Sequence, residues 1–198
     1  RLTDVHLCAT EANKTNLINE NIKGEMHVVG NTVLDHLTTA DVSYNNDILI
    51  TLHRRENHKL IPFWYQQIEE IASKNPTLNF VFISHPNPDS KGTFKKPLSN
   101  VRAIQPLPHK EFIKRITACR FLITDSGGLQ EEASFLKKKV IVCRETTERP
   151  EALGSFTHLC KSVGELPELF NKVKEDFTPE GECPFGDGKA AEKILQLL

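Results

Sequence analysis

Short apolar runs that alternate with amphipathic helical stretches are the feature that most constrains how this chain folds. Several runs, such as Ile-Leu-Ile-Thr-Leu at residues 48–52 and Phe-Val-Phe-Ile-Ser at 80–84, are apolar without alternation. That pattern is typical of parallel strands that are buried on both faces. The sequence therefore predicts an α/β fold, with right-handed βαβ units in a doubly wound, mostly parallel, Rossmann-like sheet.

The individual elements can be predicted from the same periodicity. The predicted strands cover residues 5–9, 27–29, 47–52, 79–84, 101–104, 120–124, 139–143 and 157–160. The predicted helices cover residues 11–23, 32–39, 60–73, 109–117, 128–136, 163–176 and 188–198. Two strand–helix units precede a break near residues 40–46, so the main sheet is expected to begin at residue 47.

Composition argues against several classes of partner and compartment. The chain has 198 residues and a formal net charge of −1, so it lacks the basic excess of a dedicated nucleic-acid-binding protein. We see no apolar run of the ~18 residues that a membrane span needs, so we expect no membrane partner. The five cysteines form no Cys-x-x-Cys pair, and four lie in apolar runs. We therefore expect reduced thiols in a cytoplasmic protein.

Ionisable residues and glycines follow four of the predicted strands. These clusters are His-Arg-Arg-Glu-Asn-His at 53–58, His-Pro-Asn-Pro at 85–88, Asp-Ser-Gly-Gly-Leu-Gln-Glu-Glu at 125–132 and Arg-Glu-Thr-Thr-Glu-Arg-Pro-Glu at 144–151. Ligands of open α/β sheets bind outside the carboxyl ends of the strands. Four such clusters on one edge indicate a cleft for an anionic, hydroxyl-rich ligand.

The Ser126-Gly127-Gly128 turn is suited to a diphosphate, because paired glycines before a helix let a ligand approach the backbone and the free N–H groups. An ordinary helix start is the alternative interpretation, with Glu131 and Glu132 favoured by the helix dipole. Glu132 is alternatively placed to accept both hydroxyls of a ribose. The turn matches neither the phosphate loop of nucleotide triphosphatases nor the dinucleotide fingerprint, so we predict no cofactor.

His53 is the best candidate for proton chemistry or contact with a leaving group, because imidazole titrates near neutral pH. A solvated histidine at a strand end is the alternative. Four arginines could bind phosphates through their planar guanidinium groups, or could form surface ion pairs with neighbouring glutamates. They are Arg54, Arg55, Arg144 and Arg149. The spacing of His53 and His58 does not match a zinc helix, so no metal site is predicted there.

Taken together, the motifs resemble those of the non-hydrolysing UDP-N-acetylglucosamine 2-epimerases. The matching stretches are Gly-Asn-Thr-Val-Leu-Asp at 30–35, Thr-Leu-His-Arg-Arg-Glu-Asn at 51–57, His-Pro-Asn-Pro at 85–88, Asp-Ser-Gly-Gly-Leu-Gln-Glu-Glu-Ala at 125–133, Thr-Thr-Glu-Arg-Pro-Glu at 146–151 and Pro-Phe-Gly-Asp-Gly at 184–188. Their order and spacing agree over nearly the whole chain.

The resemblance implies a glycosyltransferase-B-like architecture of two Rossmann-like domains, of which this chain is the C-terminal half. Residues 1–40 would be the tail of the N-terminal domain and the crossing segment. Residues 47–187 would form the UDP-binding domain, and residues 188–198 a helix that crosses back. The implied partners are a UDP-sugar, the N-terminal domain of the same protein, and a second copy in a homodimer.

The family reaction implies roles for individual residues. UDP is eliminated to give a glycal and is then added back with inverted configuration at carbon 2, so His53 would be the catalytic histidine or would act at the UDP side. Ser126 and Gly127 would contact the diphosphate, and Glu132 would bind the ribose. Phe112 would meet the uracil, with a core position in its helix as the alternative. The sugar-side acids lie in the half that this sequence lacks.

Three further positions complete the implied site. Arg149 would belong to the active-site loop, and Arg54 and His85 match positions that hold a second, regulatory UDP-sugar in bacterial members. Two other activities stay open: a hydrolysing relative that releases UDP and N-acetylmannosamine, and a UDP-binding module without catalysis. Ser134, Lys137 and Lys139 depart from the family's usual Pro, Gly and Pro, which we expect to affect stability more than chemistry.

Overall fold

The computed structural model describes residues 3–37, 41–84 and 98–197. Eight strands are present: β1 (Val5–Cys8), β2 (Glu25–Val28), β3 (Asp47–Thr51), β4 (Asn79–Ile83), β5 (Val101–Ile104), β6 (Phe121–Thr124), β7 (Val140–Cys143) and β8 (Thr157–Cys160). The helices are α1 (Glu11–Asn19), α2 (Ile61–Lys74), α3 (His109–Ala118), α4 (Gly127–Phe135), α5 (Leu166–Glu175) and α6 (Ala190–Leu195). Short 3₁₀ helices cover Thr32–Leu37, Arg55–Asn57, Pro150–Ala152 and Val163–Glu165.

The main sheet has six strands in the order β5-β4-β3-β6-β7-β8, and every neighbouring pair is parallel. The strands on one side of β3 run outward in chain order, and those on the other side begin with β6, so the winding reverses between β3 and β6. The predicted doubly wound α/β fold is confirmed. In such sheets the ligand crevice lies at this reversal, beyond the carboxyl ends of the two strands. A separate pair, β1 and β2, is also parallel.

Alternation along the strands divides the core between the two faces of the main sheet. Ile48 and Ile50 pack with Trp64 of α2 and Phe170 of α5, whereas Leu49 packs on the opposite face. The same division holds in the other central strands, because successive side chains of a strand point to opposite faces. Both faces are covered, which explains the continuously apolar strand sequences.

One predicted helix differs in type from the observed element. The segment predicted as a helix over residues 32–39 is a 3₁₀ helix at Thr32–Leu37, and residues 38–40 lie outside the described residues. The tight turn begins where Leu34 N–H donates to the Asn31 carbonyl (3.1 Å) and Val33 N–H donates to the Asn31 side chain (3.1 Å). These local bonds favour the tighter 3₁₀ turn over a longer α-helix.

The C-terminal helix packs against the segment that precedes the main sheet. The Asp35 carboxylate accepts from the backbone N–H groups of Ala190 (3.0 Å) and Ala191 (2.7 Å), so it caps α6 from another part of the chain. Gly186 has φ +121°, and a Cβ there would come within 2.9 Å of Gly30 Cα. The segment before the main sheet is thus joined to the C-terminal segment, while the domain boundaries given above stay predictions.

The three positions that depart from the family pattern have local structural roles. The Ser134 hydroxyl donates to the Gln130 carbonyl (2.6 Å), and Lys139 pairs with Asp176 (2.6 Å). Lys137 follows α4 in the left-handed region, at φ +54°, where glycine is usually preferred. Each contact lies at the body or the exit of α4, away from its N-terminus.

All five cysteines carry free thiols, and four of them are buried in the core. Burial raises the pKa of Cys119 to about 12 and raises the pKa of Cys143. These thiols are inert packing groups at neutral pH.

Candidate functional site

A cavity of about 400 Å³ opens where the sheet reverses, beyond the carboxyl ends of β3 and β6. Its walls come from the loop after β3, the end of β4, the first turns of α3 and the N-terminal half of α4. Four of the predicted site residues line it together: His53, Phe112, Ser126 and Glu132. His85 lies outside the described residues, and Arg54, Gly127 and Arg149 lie close to the cavity without lining it.

Asp125 holds the loop that carries His53. Its carboxylate is fully buried and accepts from the backbone N–H groups of His53 (3.0 Å) and Arg54 (2.9 Å) and from the Asn57 side chain (3.0 Å). The His53 Nε2 lies 3.9 Å from Asp125 Oδ1. The sequence motif contained Asp125, but no role was predicted for it; the available signal was a carboxylate directly after a buried strand.

The start of α4 is open toward the cavity. Ser126 is the N-cap residue with extended backbone (φ −84°, ψ 130°), and its hydroxyl makes no capping hydrogen bond. The first N–H groups of a helix have no partner within the helix, so this turn is suited to an anion. A Cβ on Gly127 would lie 3.5 Å from Arg54 Nη2 and 3.6 Å from Glu148 Oε2. Arg54 is therefore beside the same helix start.

Glu132 lies one turn further along α4 with its carboxylate almost fully buried. His109 Nε2 is 2.9 Å from Glu132 Oε1, which places an imidazole directly on the carboxylate. Phe112 is one turn after His109 in α3, is half-buried, and packs on the apolar core while also lining the cavity. His109 was not predicted as a site residue, although it stands one helical turn before Phe112.

Arg149 reaches the cavity wall only through another side chain. Its guanidinium pairs with Glu131, and Glu131 also accepts from the Asn31 side chain amide (2.8 Å). Glu131 is buried and lines the cavity, so it links the loop after β7 to the segment before the main sheet. Arg149 thus has a positioning contact in this structure.

Arg144 follows β7 and is occupied by two carboxylates. Its guanidinium donates to Glu56 (2.7 Å) and to both oxygens of Glu148 (2.6 and 3.0 Å). The hydrogen bonds from Arg144 lower the pKa of Glu148 to about 2, and the bond to Glu148 raises the pKa of Arg144. Of the two interpretations of Arg144, phosphate ligand or ion pair, the structure confirms the ion pair.

The helices in the described parts of the chain are short. None of the helices in these parts of the chain is long and apolar enough to cross a bilayer.

Comparison with known proteins identifies close relatives. A family model described as UDP-N-acetylglucosamine 2-epimerase matches residues 1–198. The UDP-N-acetylglucosamine 2-epimerase of Campylobacter jejuni is 35% identical over all of this chain and 61% of its own length. The Neisseria meningitidis enzyme of the same name is 36% identical over all of this chain and 63% of its own length. The chain therefore spans about three-fifths of these relatives.

Solved structures agree with this result. The crystal structure of UDP-GlcNAc 2-epimerase from Neisseria meningitidis bound to UDP-GlcNAc has a TM-score of 0.86 at 32% identity, covering 99% of this chain and 61% of that one. The S. aureus MnaA–UDP co-structure has a TM-score of 0.82 at 26% identity, covering 98% of this chain and 58% of that one. These neighbours have a glycosyltransferase-B-like architecture.

Proposed function

Because the chain belongs to the UDP-N-acetylglucosamine 2-epimerase family, we propose that its cavity binds the UDP portion of a UDP-sugar. The observation that carries this proposal is the convergence of an open helix start, a buried carboxylate and an aromatic ring on one cavity at the sheet reversal. A nucleoside diphosphate needs those three features in that order along its length.

The proposed pose runs along the first two turns of α4. The diphosphate lies against Ser126 and Gly127, where the helix offers N–H groups and the positive end of its dipole. The ribose hydroxyls donate to Glu132, and in doing so they take the place of His109 on that carboxylate. The uracil lies against Phe112 at the far wall.

The reaction proposed for the complete protein is the interconversion of UDP-N-acetylglucosamine and UDP-N-acetylmannosamine. Carbon 2 is only weakly acidic, so a base at the sugar and stabilisation of the departing UDP must act together. This chain supplies the UDP side, where His53 is proposed to assist departure and return of the diphosphate. Asp125 fixes the backbone that presents His53. The sugar-side acids are proposed to lie in the part of the relatives that this chain does not span.

The remaining assignments are proposals from the family pattern. Arg149 is proposed to belong to the active-site loop, where its pairing with Glu131 positions it. Arg54 and His85 are proposed to contact a second, regulatory UDP-sugar. We propose a cytoplasmic enzyme whose partners are the N-terminal domain and a second copy of the protein.

Titration of the chain with UDP tests the central proposal. Glu132→Ala should weaken UDP binding by about 5- to 150-fold, because a charge-assisted hydrogen bond of ~1–3 kcal/mol is lost. Glu145→Ala, an exposed carboxylate in the loop after β7, should leave the affinity within twofold. Unchanged UDP affinity in folded Glu132→Ala protein would reject the proposed pose.

A separate measurement distinguishes the two possible outcomes of turnover. The complete protein should accumulate almost no free UDP while it converts one UDP-sugar into the other. A hydrolysing relative would release one UDP for each sugar consumed. Stoichiometric release of UDP and N-acetylmannosamine would replace the epimerisation proposed here with hydrolysis.

A further inference from the structure

Two histidines and a glutamate come together beside the cavity, and two of them, His109 and Glu132, line it. His36 comes from the 3₁₀ helix Thr32–Leu37, His109 begins α3, and Glu132 lies in α4. One ligand atom of each side chain lies within 4.8 Å of those of the other two. Three separate elements thus deliver two imidazoles and a carboxylate to one point, a donor set typical of zinc and related divalent transition metals.

The distances are close to those that a metal requires. Zinc bonds of about 2.0–2.2 Å place neighbouring ligand atoms of a tetrahedral site roughly 3.3 Å apart. The His109 and Glu132 atoms are already 2.9 Å apart. The third ligand needs to move inward by about 1.5 Å at most, and His36 is exposed, so rotation of its side chain meets little resistance.

The environment of the three groups differs in a way that suits binding. Glu132 is only 7% exposed, so its position is held by packing. His36 and His109 are exposed, and their rings are 5.2 Å apart and tilted by 51°. A neutral His109 can keep its proton on Nδ1 and offer the Nε2 lone pair, so a cation could replace the hydrogen bond that now joins it to Glu132.

We propose that His36, His109 and Glu132 form a binding site for a divalent transition metal of the zinc class. Since Glu132 is also the carboxylate assigned to the ribose under the proposed function, a metal bound there excludes the nucleotide. The site would therefore act as an inhibitory metal switch at the entrance of the UDP cavity.

Zinc binding to the purified chain tests the site directly. Competition against a chromophoric chelator at pH 7.5 should give one bound Zn²⁺ per chain. His36→Ala and His109→Ala should each weaken that binding at least tenfold. His6→Ala removes a partly exposed histidine of β1 that hydrogen-bonds to the Lys23 carbonyl, and it should change Zn²⁺ binding less than twofold. Circular dichroism confirms that the variants are folded.

Cobalt substitution identifies the ligands independently. Co²⁺ at this site should give visible bands of nitrogen and oxygen coordination without the intense near-ultraviolet band of a thiolate ligand. A thiolate band, absence of stoichiometric Zn²⁺ binding, or Zn²⁺ binding by His36→Ala or His109→Ala as tight as that of the parent chain would overturn the proposal.

The predicted switch is tested by UDP titration with and without one equivalent of Zn²⁺. Zinc should weaken UDP binding at least tenfold in the parent chain and less than twofold in His36→Ala. Zinc binds free UDP equally in both titrations, so that equilibrium does not produce a difference between the two proteins. Equal zinc effects on both proteins would overturn the inhibitory role. Failure of UDP to bind in the absence of zinc would reject the proposed function and leave the metal site standing on its own binding data.

Discussion

Two charged clusters at the same edge of the sheet have opposite characters. The cluster after β6 lines the cavity, and its Ser126 hydroxyl makes no capping bond while Glu132 has a histidine partner. In the cluster after β7, Arg144 is enclosed by Glu56 and Glu148, and its side chain is only 8% exposed. The cluster after β6 keeps groups directed at the cavity at the sheet reversal, whereas Arg144 of the cluster after β7 is already paired with two carboxylates.

The difference shows that a charged residue directly after a strand lies at the edge of the sheet, but that this position alone does not predict that it binds a ligand. A guanidinium that already donates to two carboxylates has little capacity left for a phosphate. A helix start whose cap makes no side-chain bond keeps its capacity. Pairing within the folded chain, which depends on residues far apart in sequence, decides which cluster keeps polar groups available for a ligand.

Buried hydrogen bonds join the two clusters at their base. The Asn57 side chain donates both to Asp125 (3.0 Å) and to the Cys143 carbonyl at the end of β7 (2.9 Å). Asp125 in turn holds the backbone that presents His53 and Arg54. The cluster after β6 therefore depends on these buried hydrogen bonds for its position. Removing them should have the largest effect on the free energy of unfolding.

Asp125→Ala should lower the free energy of unfolding by about 3–5 kcal/mol. The change removes the carboxylate that accepts hydrogen bonds from several buried donors. The Asn57 side chain and two backbone N–H groups would then have no acceptor there. Urea denaturation measures the loss.

Asp176→Ala is the matched control for that measurement. Its carboxylate is 72% exposed and pairs with Lys139, so solvent screening should make its effect on the unfolding free energy much smaller than that of Asp125→Ala. Equal losses in the two variants would show that Asp125 is not the structural base of the cluster after β6.

The sequence was a good guide to the fold because burial on both faces left continuous apolar strands. Positions 101–104 and 157–160 were predicted as strands with the observed bounds, and the other strand ends agree or differ by one residue, except the start of β2, which differs by two. The helix predicted at residues 32–39 is a 3₁₀ helix at Thr32–Leu37, because local bonds to Asn31 that hydrophobic periodicity does not reveal favour the tighter turn.

The site was predicted in part, for reasons that are also physical. His53, Ser126 and Glu132 follow strands that end at the sheet reversal, so their convergence could be inferred from chain order and topology alone. The contact between His109 and Glu132 joins two helices across 23 residues, and no local pattern specifies it. The same holds for the ion pairs of Arg144.

Gly127→Ala tests the point of contact between the two clusters. The new Cβ would contact Arg54 on one side and Glu148 on the other. Both contacts are of ordinary van der Waals length, so unfolding free energy should change by less than about 1 kcal/mol. UDP affinity should fall at least tenfold, because a diphosphate resting on this turn needs the backbone uncovered. Isothermal titration and urea denaturation measure the two quantities.

Gly164→Ala provides the control for that substitution. A Cβ there meets no atom within 4 Å, and the 3₁₀ helix Val163–Glu165 does not line the cavity. UDP affinity should stay within twofold. If Gly127→Ala binds UDP as tightly as the parent chain, the diphosphate does not approach α4 at this residue.

Glu148→Gln should have the smallest effect, and one confined to stability. Hydrogen bonds from Arg144 lower the Glu148 pKa from 4.5 to about 2, so the charged pair stabilises the fold fully above about pH 4.5 and loses this contribution as pH falls through 2. Solvent screens the half-exposed carboxylate, which limits the contribution to about 1 kcal/mol. In urea unfolding, the deficit of Glu148→Gln relative to the parent chain should therefore be present at pH 6 and vanish near pH 2. UDP affinity of Glu148→Gln at pH 7 should stay within twofold, since Arg144 and its partners form a closed cluster; a tenfold loss would mean that both clusters serve the ligand.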